Sequence, residues 1–248
     1  METTYSLRRN APPLQELAFS DCVVFGAAQG IGAAIASYLH DHGSRSVLLI
    51  DKSAGFTRDE AAPGRGVVNA VQADVSSEEQ LNKALSNCTP KTLDLAVLSA
   101  GIRATSIEDM RSVNVDGVKN SIVAVRPYLK KGALLILVSS DFFNVCPDDP
   151  YAVTKKEGAL HALEVAKEHA EDFRVVILLP GPVRTHLFLH DKSQALVDAI
   201  DEEEGILSPQ ELSIMLFEQV IPQSLTKPSG SAVTMYKKRG VVWKDTGL

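Results

Sequence analysis

The chain is poor in the residues that build disulfide frameworks, zinc sites and nucleic-acid surfaces. Its 248 residues include three cysteines and one tryptophan, and aromatic residues make up only 6%. Cys22, Cys88 and Cys146 are odd in number, far apart and in no CxxC pair, so neither a disulfide scaffold nor a metal site is expected. Three buried thiols in a reducing, cytoplasmic setting are the expectation. Positive charge is in the minority: 25 basic residues face 31 acidic ones, a formal net charge of -6. Nucleic acid and anionic membranes are therefore not expected partners. No apolar run follows Arg8 and Arg9 before Asp21, so residues 1–20 read as an N-terminal arm and not as a secretory signal. The uncharged stretch from Cys22 to Leu39 has the length of a membrane span, but glycines and a glutamine interrupt it.

What is present is an alternation, built on a chain that is 45% hydrophobic. Runs rich in Val, Ile and Leu at Cys22–Phe25, Ser46–Ile50, Gly66–Val71, Leu93–Leu98, Ala133–Val138, Arg174–Leu179 and Ala232–Tyr236 suit strands buried on both faces. Helical patterns lie between most of them, at Ile31–His42, Ser77–Asn87, Met110–Leu129, Tyr151–Ala170 and Ser208–Ile221. Ser208-Pro209-Gln210-Glu211 supplies a capped helix start with proline at the first helical position. The order predicts one α/β domain over residues 21–248, a doubly wound parallel sheet of about seven strands with helices on both faces. Residues 52–65 leave little room for a full helix, and the long connection near 186–206 reads as a lid. Asp201-Glu202-Glu203-Glu204 and Lys237-Lys238-Arg239 read as solvated faces.

The first strand runs into Gly26-Ala27-Ala28-Gln29-Gly30-Ile31-Gly32 and then a helix. Glycines let the backbone approach a pyrophosphate closely, and the open N–H groups of the helix start meet its charge. Asp51 closes the next strand, where a carboxylate accepts hydrogen bonds from both adenine-ribose hydroxyls and repels a 2′-phosphate. This favours NAD; Lys52 beside it keeps NADP open. Tyr151 and Lys155 are four apart at a helix start and share a face. They follow the strand that ends in Ser139 and Ser140, at the sheet edge where doubly wound folds bind ligands. Ionising a tyrosine at pH 7 costs about 4 kcal/mol, and an ammonium about 4 Å away at an effective dielectric of 20 returns roughly the same.

Read in order, GxxxGxG, Asp51, Asp74-Val75, Ala100-Gly101, Asn114, Ser140, Tyr151-x-x-x-Lys155 and Pro180-Gly181-Pro182-Val183-Arg184-Thr185 resemble the short-chain dehydrogenase/reductase family, from about Asp21 to Tyr236. The resemblance implies a Rossmann fold and NAD(P)-dependent interconversion of a secondary alcohol and a ketone. It makes Tyr151 the acid/base, with Ser140 orienting the substrate oxygen and Ser139 as the alternative serine. Lys155 would hold the nicotinamide ribose and lower the tyrosine pKa, and Asn114 would kink its helix and place a relay water. Asp74 and Val75 would contact adenine, Val183 and Thr185 the carboxamide, with Ala100, Gly101, Pro180 and Gly181 beside the cofactor. It also implies a homodimer or homotetramer that pairs through the helices at Met110–Leu129 and Tyr151–Ala170. Phe25, Leu98 and Ser99 depart from the family pattern around the glycine turn. Phe142, Phe143, Cys146, Leu187 and Phe188 would wall a pocket for a hydrophobic or cyclic substrate, and Arg184 caps the lid or reaches a substrate anion. Two competing readings keep the fold: a non-redox isomerase, dehydratase or cyclase, and a dinucleotide-sensing binding protein.

Overall fold

The computed structural model describes residues 19–53, 66–88, 92–190 and 192–244. Residues 1–18 of the proposed arm and most of the 52–65 connection lie outside them. Eight strands follow one another: β1 (Asp21–Phe25), β2 (Ser46–Asp51), β3 (Val67–Gln72), β4 (Leu93–Leu98), β5 (Leu129–Val138), β6 (Phe173–Pro180), β7 (Ser231–Tyr236) and β8 (Gly240–Lys244). Parity along them decides the layering. In β1, Val23 and Phe25 join one core while Cys22 and Val24 join the other, and the whole strand is buried. A strand without a solvent face has to be apolar at consecutive positions.

The strands form one sheet in the order β3-β2-β1-β4-β5-β6-β7-β8, parallel except for the antiparallel pair β7–β8. The predicted seven-strand sheet thus gains β8, a half-exposed edge strand entered through Gly240 at φ +70. Its short alternating pattern gives little signal beside the buried runs. Successive strands leave β1 in opposite directions, toward β2 on one side and β4 on the other. That reversal opens a crevice at the carboxyl ends of β1 and β4.

One face of the sheet is covered by α1 (Gly30–Asp41), α9 (Pro209–Met215) and the π turn after it (Leu216–Val220), through Ile35, Leu39, Leu212 and Phe217 among others. The other carries α2 (Glu78–Cys88), α4 (Gly117–Val125) and α6 (Pro150–Glu168), through Leu81, Ile122, Ala159 and Leu163. The helix predicted over 110–129 is segmented. It begins earlier, as α3 (Ile107–Arg111), widens into a π turn at Ser112–Asp116 and ends at Val125, because β5 already starts at Leu129, which pairs with Leu93. The capping box at Ser208 is formed: Glu211 N donates to Ser208 Oγ at 3.1 Å and Ser208 N to Glu211 Oε2 at 2.7 Å. The short helix α5 (Phe142–Val145) follows β5, and the connection after β6 holds α7 (His186–Leu189) and α8 (Gln194–Glu203). Its acidic stretch is not a plain solvated face: Glu204 pairs with Arg239, and Lys238 Nζ donates to the Glu202 carbonyl. Cys22 is buried, Cys146 only half-buried, and the Cys88 side chain lies outside the description. Among the described residues, no helix is long and apolar enough to cross a membrane, and no group of three metal-ligating side chains gathers.

Helix α6 comes close to the Ser112–Asp116 π turn at Gly158, where a Cβ would run into the Asn114 carbonyl oxygen. In an open helix Gly→Ala stabilises by about 1 kcal/mol. Here Gly158→Ala is expected to destabilise by about 1–3 kcal/mol through overpacking, measured as a lower midpoint in urea unfolding.

Candidate active site

The crevice is built from the glycine turn outward. Gly26 N and Ala27 N donate to Ile50 O at 2.8 and 3.3 Å, which ties the turn to β2. Gly26 has φ +74, and a Cβ there would lie 2.5 Å from Ala100 N; Gly30 has φ +59. Both positions therefore need glycine. Gln29, the residue before α1, is extended and offers no side-chain cap, so the helix start presents its first N–H groups uncapped. Asp51 Oδ2 accepts from Ala28 N at 3.0 Å and Oδ1 from Ser53 N at 2.9 Å. Each oxygen retains acceptor capacity toward a hydroxyl. Asp74 Oδ1 accepts from both the N–H and the hydroxyl of Ser76.

A cavity of about 210 Å³ runs along these residues to the polar set at the end of β5. It is lined by Gly26, Gln29, Gly30, Ile31, Asp51, Lys52, Asp74, Val75, Ala100, Gly101, Tyr151, Lys155 and Thr185. A second cavity of about 350 Å³ shares Ile31, Ser139, Tyr151, Thr185 and Leu187 with it and continues past Ser140, Phe142, Pro180, Gly181, Val183 and Phe188. Tyr151 stands where the two meet. Ala28 and Gly32 support the turn and line neither cavity, and Asn114 acts from behind the wall. Of the expected apolar wall, Phe142, Leu187 and Phe188 are in place, while Phe143 is buried in the core and Cys146 lines neither cavity. Arg184 pairs with Asp201 of α8 at 3.1 Å, which places it on the connection after β6. Of the departures from the family pattern, Phe25 and Leu98 are core residues and Ser99 lines the smaller cavity.

The serines divide. Ser139 Oγ donates to the Lys155 carbonyl at 3.0 Å and holds α6 to β5. Ser140 Oγ accepts from Phe142 N at 3.2 Å and hydrogen-bonds with Tyr151, so it is Ser140 that faces the phenol. Lys155 is 5% exposed and its Nζ donates to the Val138 carbonyl at 2.8 Å. Burial holds this ammonium down to about 8. Burial likewise pushes the Tyr151 phenol up to about 12, opposed by the Ser140 hydrogen bond and the Arg103 guanidinium and reinforced by Asp149. The charges acting on Tyr151 here are thus Arg103 and Asp149, neither anticipated from sequence. Asp149 had a signal: an aspartate before Pro150 is a helix start, and its Oδ1 accepts from Tyr151 N and Ala152 N. Arg103 sits in the irregular loop after β4 and had none.

Asn114 binds that loop. Its Oδ1 accepts from Ile102 N at 2.9 Å, and its Nδ2 donates to Ile102 O at 2.9 Å and to Thr154 Oγ1 at 3.0 Å.

A family described as short chain dehydrogenase matches residues 21–195. The chain belongs to the short-chain dehydrogenase/reductase family. Among its curated relatives, carbonyl reductase family member 4 of Danio rerio is 31% identical over 196 residues, covering 72% of this chain and 81% of that protein. The fold is shared by solved structures, among them two with a bound dinucleotide. A short chain dehydrogenase from Burkholderia cenocepacia, in complex with NADP, superposes at TM-score 0.68 with 22% identity, over 87% of this chain and 95% of that one. One from Mycobacterium paratuberculosis, bound to NAD, does so at 0.70 with 20% identity, over 86% and 94%. This short-chain dehydrogenase/reductase is an NAD(P)-dependent oxidoreductase, and the uncapped helix start with its glycine-lined cavity fits a dinucleotide of that class.

Lys155 yields a stability prediction. Its pKa is lowered from 10.5 to about 8, so at neutral pH the native state carries a penalty of at most about 3 kcal/mol. The unfolded chain binds the extra proton between those values, so this contribution makes stability rise with pH from about 8 to 10.5. Lys155→Met is expected to lose turnover and yet unfold in denaturant at pH 7 no earlier than wild type, without that rise.

Proposed function

We propose that the protein interconverts a secondary alcohol and a ketone on a hydrophobic or cyclic small molecule, with Tyr151 as proton donor and acceptor. The observation that carries this reading is the position of Tyr151 at the junction of the two cavities, hydrogen-bonded with Ser140 and one helical turn from Lys155. A bound nicotinamide supplies the hydride donor or acceptor. Gly26, Gln29, Gly30 and Ile31 would hold its diphosphate, Asp51 the adenine ribose, Lys155 the nicotinamide ribose and Thr185 the carboxamide. In reduction Tyr151 donates its proton to the carbonyl oxygen, and in oxidation it removes the hydroxyl proton. Ser140, whose oxygen already accepts from Phe142 N, keeps its own proton to donate to the substrate oxygen. Phe142, Leu187 and Phe188 supply the apolar wall.

In this reading the segment with α7 and α8 is the lid, held by Arg184–Asp201 and by Arg239–Glu204. A homodimer pairing through α4 and α6 is supported by the exposed apolar side chains Val123 and Leu160, while Ala159, Leu163 and Ala166 face the protein's own core.

Tyr151→Phe is expected to lower kcat about a hundredfold or more, with dinucleotide affinity nearly unchanged, in a spectrophotometric screen of cyclic and aromatic ketones with NADH and NADPH. A variant that keeps full activity removes the assignment. Asp51 sets the cofactor preference: NADH should bind at least about tenfold tighter than NADPH, a difference of about 1.4 kcal/mol. Calorimetric titration of both decides it, and the opposite order overturns the role given to Asp51.

A further inference from the structure

We infer that Arg103 is a positioning residue for the reaction: lying across the ring of Tyr151, it favours the ionised phenol and so sets the pH at which the tyrosine can act as base. This rests on the role proposed for Tyr151.

The geometry is specific. The Arg103 guanidinium carbon lies 5.5 Å from the Tyr151 ring centroid and 5.5 Å from that of Phe142, within cation–π range of both. Its Nη2 donates to Asp149 Oδ2 at 2.8 Å, the same carboxylate that caps α6 just before Tyr151. The backbone beside it is fixed as well, because Asn114 clasps both the N–H and the carbonyl of Ile102. Arg103 is therefore held at both ends, and it forms part of the wall of the larger cavity. A cation over a phenol ring gains more from the phenolate than from the neutral ring, because the ionised ring carries more negative charge. Lys155, the other cation near the tyrosine, directs its ammonium to the Val138 carbonyl.

Other charged groups stand on the walls that Tyr151 shares, among them Asp51, Lys52 and Asp74 at the ends of β2 and β3 in the smaller cavity. Arg239 is paired with Glu204 and stacks on Tyr236, not Tyr151. Lys192 lies over Phe188, His186 stands on the cofactor side against His190, and Glu203 lines the far part of the cavity on α8. Asp149 opposes Arg103 by raising the phenol pKa. The pair therefore acts as a dipole with its positive end over the ring, and the net effect is smaller than that of a lone cation.

The test uses the folded protein with oxidised dinucleotide bound. Two readings of the Tyr151 ionisation are compared: the pH profile of kcat/KM for oxidation of a secondary alcohol, and the ring-carbon resonance of isotope-labelled tyrosine, assigned with Tyr151→Phe. Arg103→Gln should raise the midpoint by about half a unit to one unit and leave dinucleotide affinity unchanged. Arg103→Lys should restore most of the shift, and Asp149→Asn, which retains the cap, should lower the midpoint. An unchanged midpoint in Arg103→Gln overturns the inference. So does a loss of activity that tracks a lower melting temperature and is not restored by lysine, which marks a structural role. If Tyr151→Phe retains turnover, the proposed function itself fails; the resonance midpoint is read without turnover, so the two failures are distinguishable.

Discussion

The side chain of Asn114 joins three elements, the loop after β4, the π turn at Ser112–Asp116 and α6. Its carboxamide satisfies the N–H and carbonyl of Ile102 in the loop after β4, and its second amide proton reaches Thr154 on α6. Thr154 in turn donates to the Tyr151 carbonyl at 2.9 Å. The backbone carbonyl of Asn114 lies in the π turn, and Gly158 lets α6 come close enough to face it. A π turn inserts an extra residue into a helix and re-aims its groups, which is why such turns collect at functional sites. The loop with Arg103, the π turn and the helix that carries Tyr151 thus meet at one buried amide.

The second constraint is electrostatic. Tyr151 and Lys155 sit at the carboxyl edge of the sheet in surroundings that disfavour charge. Lys155 and Tyr151 show this in opposite directions, one held down to about 8 and the other pushed up to about 12. Both shifts move the groups toward neutrality. In the proposed reaction, proton transfer by Tyr151 depends on groups that favour the charged form, and among the described residues these are the Ser140 hydroxyl and the Arg103 guanidinium. Local stability is sacrificed for this arrangement, since a buried ammonium weakens the native state where the site operates.

How much of this was legible in the sequence follows from how local each signal is. Consecutive apolar residues mark strands buried on both faces, and six of the seven predicted strands match the observed ones closely. The fifth begins earlier than predicted because Leu129–Gly132 has no buried run. The glycine turn was readable because positive φ at Gly26 and Gly30 admits few alternatives. β8 was not, since its five residues are half-exposed and follow the last buried run after a tight turn; β3, the opposite edge, was read from its Val-rich run although it is largely exposed and not buried on both faces as expected. The choice between Ser139 and Ser140 stayed open in the sequence because adjacent residues at a strand end point to opposite faces. The structure gives Ser139 to the helix backbone and turns Ser140 to the phenol. Arg103 and the pairing of Glu204 with Arg239 depend on loops brought together only by the tertiary fold, so no spacing rule announces them.

The central claim is that one continuous groove, from Asp51 to Tyr151, holds a dinucleotide with its reactive ring against the tyrosine. A crystal structure with the oxidised dinucleotide bound tests it most directly. The account predicts the adenine ribose at Asp51, the diphosphate at the start of α1, and the nicotinamide between Thr185 and the Tyr151–Lys155 pair. A dinucleotide bound in the reverse sense, or with its nicotinamide away from Tyr151, would contradict it.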